Sequence, residues 1–383
     1  MEHLNVLIFS ASFGAGHVRA ADAIIEALRA KDPNVKITHL DFGAFLSKTF
    51  NSVVKNTYIE LIKHTPRLWG KFYYRTSKIP PGSLFQRFLN GLGRREFVRF
   101  IQVLQPDLVI CTYPTVAGVL AQQRLRGVLN VPLVTVVTDY AVHSQWIHPG
   151  VDHYIVGCEG VYEGLVARGI NPQSIHISGI PVSPKFERTL DRQKILNKLN
   201  MNPKLPTVLV MGGAYGVLGG AKWLCKTLSE AAVPLQTIVV CGQDEKLYKA
   251  LDSLVEDNKN PLVRFGFVNN VEELMSAADM IITKAGGLTV SEALTKRLPL
   301  VIFKPIPGQE EENARYLAQI GAGRVAENED ELEKIVFTLL ERPEILEGMR
   351  GAAAKAVPGR AAERALEGIL QLVEERRSTQ RIG

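Results

Sequence analysis

Two Rossmann-like α/β domains facing a central cleft are what this sequence of 383 residues predicts, from three observations. Short β-branched runs alternate with helical patterns through most of the chain, the signature of βα units winding a parallel sheet. The runs fall into two series. Each series opens alike, with a strand, a glycine-rich turn and a helix start, in "VLIFSASFGAGH" and in "VLVMGGAYGVLGG". Such loops sit at carboxyl strand ends, where open α/β sheets bind their ligands.

In order, the first series is "LNVLIFS", "VKITHL", "DLVICT", "PLVTVVT", "DHYIVG" and "SIHISG", which places a first domain over residues 1–182. "GIPVSPKF" carries Pro181 and Pro184 and precedes a polar helix and "MNPKLP", so residues 183–206 read as a linker. The second series is "TVLVMG", "QTIVVC", "LVRFGF", "DMIITK" and "PLVIFK", giving a second domain over 207–358. Residues 359–383 hold a last helical stretch, near 360–377, expected to return to the first domain. Residues 48–100 break the alternation. They show no clear strand and carry Lys48, Lys55, Lys63, Arg67, Lys71, Arg75, Lys78, Arg87, Arg94, Arg95 and Arg99 against Glu60 and Glu96, a local charge of +9. Phe50, Tyr58, Trp69, Phe72, Tyr73, Tyr74, Phe85 and Phe88 are interleaved, a mixture suited to an anionic lipid surface with rings at headgroup depth. A solvated helix with core aromatics, or a single-stranded nucleic acid site, is the competing reading of the same residues.

Composition narrows the class. A chain 46% hydrophobic buries a substantial core, and a net charge of +6 permits an anionic partner without choosing one. Cys111, Cys158, Cys225 and Cys241 form no CxxC pair, which argues against a disulfide framework or a zinc site and for a reducing cytoplasm. No basic leader precedes "LNVLIFSA" and no apolar run nears the roughly 20 residues of a membrane span. Membrane contact is therefore expected to be peripheral.

Neither glycine loop is a standard nucleotide motif. Gly14 and Gly16 follow a strand and Asp41 ends the next, but Arg19 stands where a dinucleotide fingerprint needs its third glycine. "GVLGGAKW" mimics a P-loop, yet Ala221 separates glycine from lysine and no Ser or Thr follows Lys222. The strongest signal spans 266–323. There a strand ending at Thr283 turns through Ala285, Gly286 and Gly287 into a helix beginning near Thr289, a cradle of N–H groups for a diphosphate. Glu292, one turn inside, suits a ribose diol, and "PGQEEEN" brings Gln309 and Glu310 to the same rim for sugar hydroxyls. Alone, Glu292 reads equally as an acid favoured by the helix dipole and Gln309 as a loop residue.

Together these segments resemble the GT-B glycosyltransferases that include bacterial processive diacylglycerol glucosyltransferases, plant monogalactosyldiacylglycerol synthases and MurG. "GAGHVRAADAI" resembles the family's first loop, "VTDYAVHSQWIHPGVDHYIVGCEG" its acceptor-side block and "GIPVSPKF" its interdomain linker. The diacylglycerol branch fits better than MurG, which has a GGTGGH loop and a shorter helical region after it. "KAGGLT" departs from the plant KAGPGT form at Gly287 and Leu288. The resemblance implies inverting transfer of a hexose, glucose before galactose, from a UDP-sugar to diacylglycerol, with no cofactor, no metal and no nucleic acid. It implies a peripheral enzyme at the cytoplasmic face of the membrane. His17 is then the general base, its ordinary pKa near 6.5 suiting that role, and Asp139, at a strand end, orients His17 or an acceptor hydroxyl and is the runner-up base. Read without the resemblance, His17 is a helix-terminal histidine that hydrogen-bonds the turn. Gly212, Gly213, Phe267, Gly287, Leu288, Thr289, Glu292, Gln309, Glu310 and Asn313 form the donor-side set; Gly16, His143 and Trp146 form the acceptor-side set. Asp139, His143, His148, Asp152 and His153 offer no compact metal-ligand pair. The competing functions are MurG-like transfer to a polyprenyl-linked acceptor, a UDP-sugar epimerase and a non-catalytic UDP-sugar sensor.

Overall fold

All strand pairings among the described residues are parallel, as continuous apolar runs covered on both faces require. The computed structural model describes residues 4–12, 14–45, 65–80, 83, 84, 86, 91, 93–212, 218–255 and 259–382. In chain order, β1 (Asn5–Ser10) leads to α1 (Ala15–Lys31), β2 (Lys36–Asp41), α2 (Pro66–Thr76), α3 (Arg94–Leu104), β3 (Leu108–Cys111), α4 (Pro114–Leu125), β4 (Leu133–Val136), β5 (His153–Val156), α5 (Glu159–Val166) and β6 (Ile175–Ile177). Then come α6 (Arg192–Lys198), β7 (Thr207–Met211), α7 (Ala221–Glu230), β8 (Gln236–Val240), α8 (Glu245–Ala250), α9 (Asp252–Val255), β9 (Leu262–Phe265), α10 (Val271–Ala277) and β10 (Met280–Thr283). The chain continues with α11 (Gly287–Thr295), β11 (Leu300–Phe303), α12 (Gln309–Gln319), β12 (Gly323–Ala326), α13 (Glu329–Glu341), α14 (Pro343–Ala356) and α15 (Ala361–Ile382).

Two units result. The first holds Met1–Pro184, the turn Pro307–Gln309 and Arg360–Gly383; the second holds Lys185–Ile306 and Glu310–Gly359. In the first, a six-stranded sheet runs β2-β1-β3-β4-β5-β6. Val6, Ile8, Leu108, Ile110, Val134 and Val136 point into a core closed by Ile24 and Leu28 of α1 and by Ala365, Leu366, Ile369 and Val373 of α15. Each fully buried aliphatic side chain of this kind contributes roughly 1.5–3 kcal/mol relative to exposure. Asp152 fixes the rim: Leu133 donates its N–H to one carboxylate oxygen at 2.8 Å, while Arg124 and Arg376 donate to the other at 2.7 and 2.5 Å. The turn Pro307–Gln309 is seated on α2. Gly308, at φ +102°, faces Tyr73 so closely that a Cβ would lie 2.8 Å from its Cγ.

The second sheet runs β12-β11-β10-β7-β8-β9. Its core joins Val208, Val210, Met280 and Ile282 to Leu224 and Leu228 of α7 and to Leu332 and Val336 of α13. The segment expected as linker contributes here, because Arg192 of α6 donates to Asp279 at 2.9 Å and Asp279 also accepts the Thr207 N–H at 2.8 Å. β12 is a strand that the second series did not include. "GRVA" lies at the sheet edge with Arg324 exposed, and Gly323 packs where a Cβ would meet Leu317 at 2.9 Å. Four residues with so little apolar character give no period to read.

Candidate active site

β1 is the turning point of the first sheet, since the chain passes from it to β2 on one side and later to β3 on the other. The loops leaving β1 and β3 therefore diverge and open a crevice at their carboxyl ends. His17 is the third residue of α1, after a turn whose Gly14 is extended at φ −156°. Its Nδ1 lies 2.7 Å from the carbonyl oxygen of Thr112 and 3.0 Å from the hydroxyl of Thr138. Thr112 donates its own hydroxyl back to the His17 carbonyl at 2.8 Å. Thr112 follows β3 directly and Thr138 stands two residues beyond β4, so three adjacent strands deliver the cluster. A carbonyl oxygen only accepts, so Nδ1 carries the hydrogen and Nε2 keeps the basic lone pair. Tyr113 packs edge-on against the ring at 5.2 Å, and the Trp146 ring lies tilted to it at 6.2 Å. Burial lowers the His17 pKa to about 4, with the bond to Thr112 opposing it, so the imidazole is neutral at neutral pH.

Asp139 does not orient His17. Its Oδ2 accepts from Trp146 Nε1 at 3.2 Å and its Oδ1 from Gln309 Nε2, inside a pocket that leaves it 7% exposed. Burial raises its pKa to about 6, which the bonds from Gln309 and Trp146 oppose. Gln309, expected at the sugar, is thus engaged with a buried carboxyl. Trp146 is 2% exposed and presents no open apolar wall. His143 is likewise buried: Nε2 lies 3.1 Å from Thr76 Oγ1 and 3.2 Å from the Tyr73 carbonyl, while Nδ1 accepts from Gln145 N. It ties α2 to the 138–148 loop. His148 bonds the Pro114 carbonyl at 3.1 Å, and no group of three or more metal-ligating side chains occurs among the described residues. Gly16 lies within the first turn of α1, beside His17.

In the second unit β7 is the corresponding turning point, flanked by β8 and β10. Gly212 directly follows β7; Gly213 lies outside the described residues. The helix after β10 starts earlier than expected, at Gly287, because Gly286 serves as N-cap. Gly286 offers no capping side chain and the first turn holds no acid, so no side chain caps the N–H groups at the start of this helix. The Leu288 side chain is 5% exposed, leaving its N–H as its means of contact. Glu292 is buried on the second turn of α11 at 3% exposure. Asn313 of α12 is fully buried and donates to the Ala285 carbonyl at 3.0 Å, so it shapes the turn. Glu310 accepts the Ile306 N–H at 2.9 Å, and burial raises its pKa while Lys284 opposes. Phe267, past the end of β9, is 55% exposed.

Of the basic aromatic segment, Lys48, Lys55, Lys63, Arg87, Phe50, Tyr58, Phe85 and Phe88 lie outside the described residues. α2 exposes Arg67, Lys71 and Arg75 beside Leu68 at 57% and Phe72 at 46%. Among the described residues no helix is long and apolar enough to cross a membrane.

Sequence reasoning missed Thr112 and Thr138. Each closes a β-branched run, in "VICT" and "VVT", so a polar residue at a carboxyl strand end was the available signal.

Comparison with known proteins follows the same division. Residues 17–182 match the monogalactosyldiacylglycerol (MGDG) synthase family and residues 207–361 the glycosyltransferase family 28 C-terminal domain. The processive diacylglycerol beta-glucosyltransferase of Bacillus subtilis strain 168 is 32% identical over 96% of this chain and 94% of its own. That of Bacillus cereus strain G9842 is 35% identical over 88% and 85%. In fold, Acinetobacter baumannii MurG superposes with a TM-score of 0.61 at 18% identity, covering 96% of this chain and 99% of that one. Phytolacca americana UGT2, solved with UDP-2fluoro-glucose and pterostilbene, gives 0.60 at 11%, covering 97% and 100%. The resemblance read from the first glycine loop and the 266–323 segment is borne out, and the chain belongs to the diacylglycerol glucosyltransferase family of GT-B glycosyltransferases.

Proposed function

We propose that this protein transfers glucose from UDP-glucose to the free hydroxyl of diacylglycerol, with inversion to a β-glycoside. The observation that carries the reading is the His17 cluster: a neutral imidazole, hydrogen-bonded through Nδ1, with Nε2 as its base, at the turning point of the sheet. In the reaction Nε2 takes the acceptor's proton as that oxygen attacks the anomeric carbon, and the bond from that carbon to the diphosphate breaks with its electron pair leaving on UDP. General base assistance of this kind supplies about 10²–10⁴ in rate. The departing charge falls to the first turn of α11, a reading supported by its lack of a capping side chain and of a first-turn acid, which leaves the helix dipole to meet it. Glu292 takes the ribose, Phe267 stacks on the base, Glu310 serves the sugar and Gly212 flanks the diphosphate, while Gln309 is held by Asp139. Names of the relatives support both the sugar and the acceptor.

Membrane docking belongs to the same reading. Arg67, Lys71 and Arg75 meet anionic headgroups at about 1 kcal/mol each, and Leu68 and Phe72 add a salt-resistant apolar part. The test is a donor screen with diacylglycerol in mixed vesicles, products weighed by mass spectrometry. Hexosyl-diacylglycerol from UDP-glucose supports the proposal. Turnover only with a polyprenyl-diphosphate sugar, or no transfer at all, overturns it. Vesicle sedimentation of the Phe72→Ser variant checks the docking part, which fails if the salt-resistant fraction is unchanged.

A further inference from the structure

We propose that Thr138 is a positioning residue: its hydroxyl oxygen and the Thr112 carbonyl together grip the Nδ1–H of His17 and aim Nε2 at the acceptor hydroxyl. The inference rests on the reading of His17 as base.

The neighbouring carboxylate would be the obvious partner for a catalytic histidine. Here it is turned to other donors, Trp146 Nε1 and Gln309 Nε2, and the adjacent residue, Thr138, supplies the oxygen at His17 instead. Two oxygens at 2.7 and 3.0 Å converge on one nitrogen. A half-turn of the ring about its Cβ–Cγ bond would exchange Nδ1 for a carbon and lose both contacts, so the pair fixes one ring orientation and one tautomer. Thr138 is 3% exposed and Thr112 fully buried, which excludes water as a substitute partner and strengthens each bond. When His17 takes the proton, the Nδ1–H becomes a charge-assisted donor, and the second oxygen gains most at that moment. A neutral oxygen serves this purpose without holding the imidazole protonated between turnovers, as an adjacent carboxylate does.

The experiment compares Thr138→Val, Thr138→Ser and His17→Ala by initial rates of UDP release in diacylglycerol vesicles. Thr138→Val keeps the shape and removes the oxygen, so kcat falls about 10–100-fold while KM for the UDP-sugar is unchanged. Thr138→Ser restores most of the rate. The double variant His17→Ala/Thr138→Val is no slower than His17→Ala, because the two residues act as one unit. Wild-type kcat in Thr138→Val beside an inactive His17→Ala overturns this inference alone; wild-type kcat in His17→Ala overturns the base reading beneath it. Additive losses reduce Thr138 to a packing residue. Should Thr138→Val not fold, Thr138→Ala takes its place: a kcat about 10–100-fold lower with KM unchanged supports the grip, and a wild-type kcat overturns it.

Discussion

The two candidate bases titrate in different places, and pH separates them. Burial lowers His17 to about 4 and raises Asp139 to about 6. Each acts as a base only when unprotonated. At pH 5 a group titrating at about 4 is still about 90% in its basic form, whereas one titrating at about 6 is only about 10% so, and a histidine at its ordinary 6.5 about 3%. If His17 is the base, kcat/KM for the UDP-sugar at pH 5 stays close to its value at pH 7.5. If ionised Asp139 is required, the same ratio drops about tenfold, and the drop disappears in Asp139→Asn only if that carboxyl served a role other than base. The assay is an initial-rate series from pH 4.5 to 8 in vesicles of uncharged lipid, with each sample returned to pH 7.5 and reassayed to exclude acid inactivation. A limb near pH 6.5 that vanishes in His17→Gln would refute the reasoning, because it would mean that the ring is not desolvated as its surroundings require.

Other outcomes follow from single contacts. Glu292→Ala weakens UDP binding by about 1–3 kcal/mol in calorimetry, the range for hydrogen bonds to a charged group, and unchanged affinity removes Glu292 from the ribose. Asn313→Ala leaves the buried Ala285 carbonyl without its donor, so UDP affinity falls although Asn313 itself is fully buried; an unaltered calorimetric Kd contradicts this. Gly308→Ala forces a Cβ against Tyr73 at a positive φ and lowers the unfolding free energy in urea by about 1–3 kcal/mol, and a neutral result would show that the turn shifts freely. His17, His143, His148 and His153 are all lowered to about 4 by burial, so the unfolded chain binds more protons between about 4 and 6.5. Their stabilisation is full above pH 6.5 and is lost as pH falls toward 4. Asp139, raised to about 6, works oppositely over 4 to 6 and offsets part of it. The urea midpoint accordingly falls from pH 7 to pH 5; a flat or rising midpoint counts against the buried neutral imidazoles.

Strands such as "VLIFS" and "LVIC" were legible because each is a continuous β-branched run that only a doubly covered sheet accommodates. β12 was not, since Gly323 and Arg324 answer to an edge position and to the packing of Leu317, neither visible in "GRVA". The glycine turns marked where the chain passes from β1 to α1 and from β10 to α11, and His17 stood out by chemistry. Its partners did not. Thr112 and Thr138 are 95 and 121 residues away from it in sequence and reach it because β1, β3 and β4 are neighbours, a fact of strand order and not of local pattern. Trp146 and His143 misled for a related reason: residue type suggests an open pocket, while burial is decided by the helix that α2 lays over the 138–148 loop.

The position of α15 has a consequence for how the molecule comes into being. Its Ala365, Leu366, Ile369 and Val373 close the first core, yet they are made only after residues 185–359 of the second unit have left the ribosome. At about 5–20 residues per second the apolar flank of α1, with Ile24 and Leu28, waits on the order of ten seconds or more for its cover. During that interval the second unit, continuous apart from the short turn Pro307–Gln309, has all of its strands available while the first lacks a wall. The domain synthesised first is therefore the one completed last, and until α15 emerges the aliphatic flank of α1 lacks its native cover.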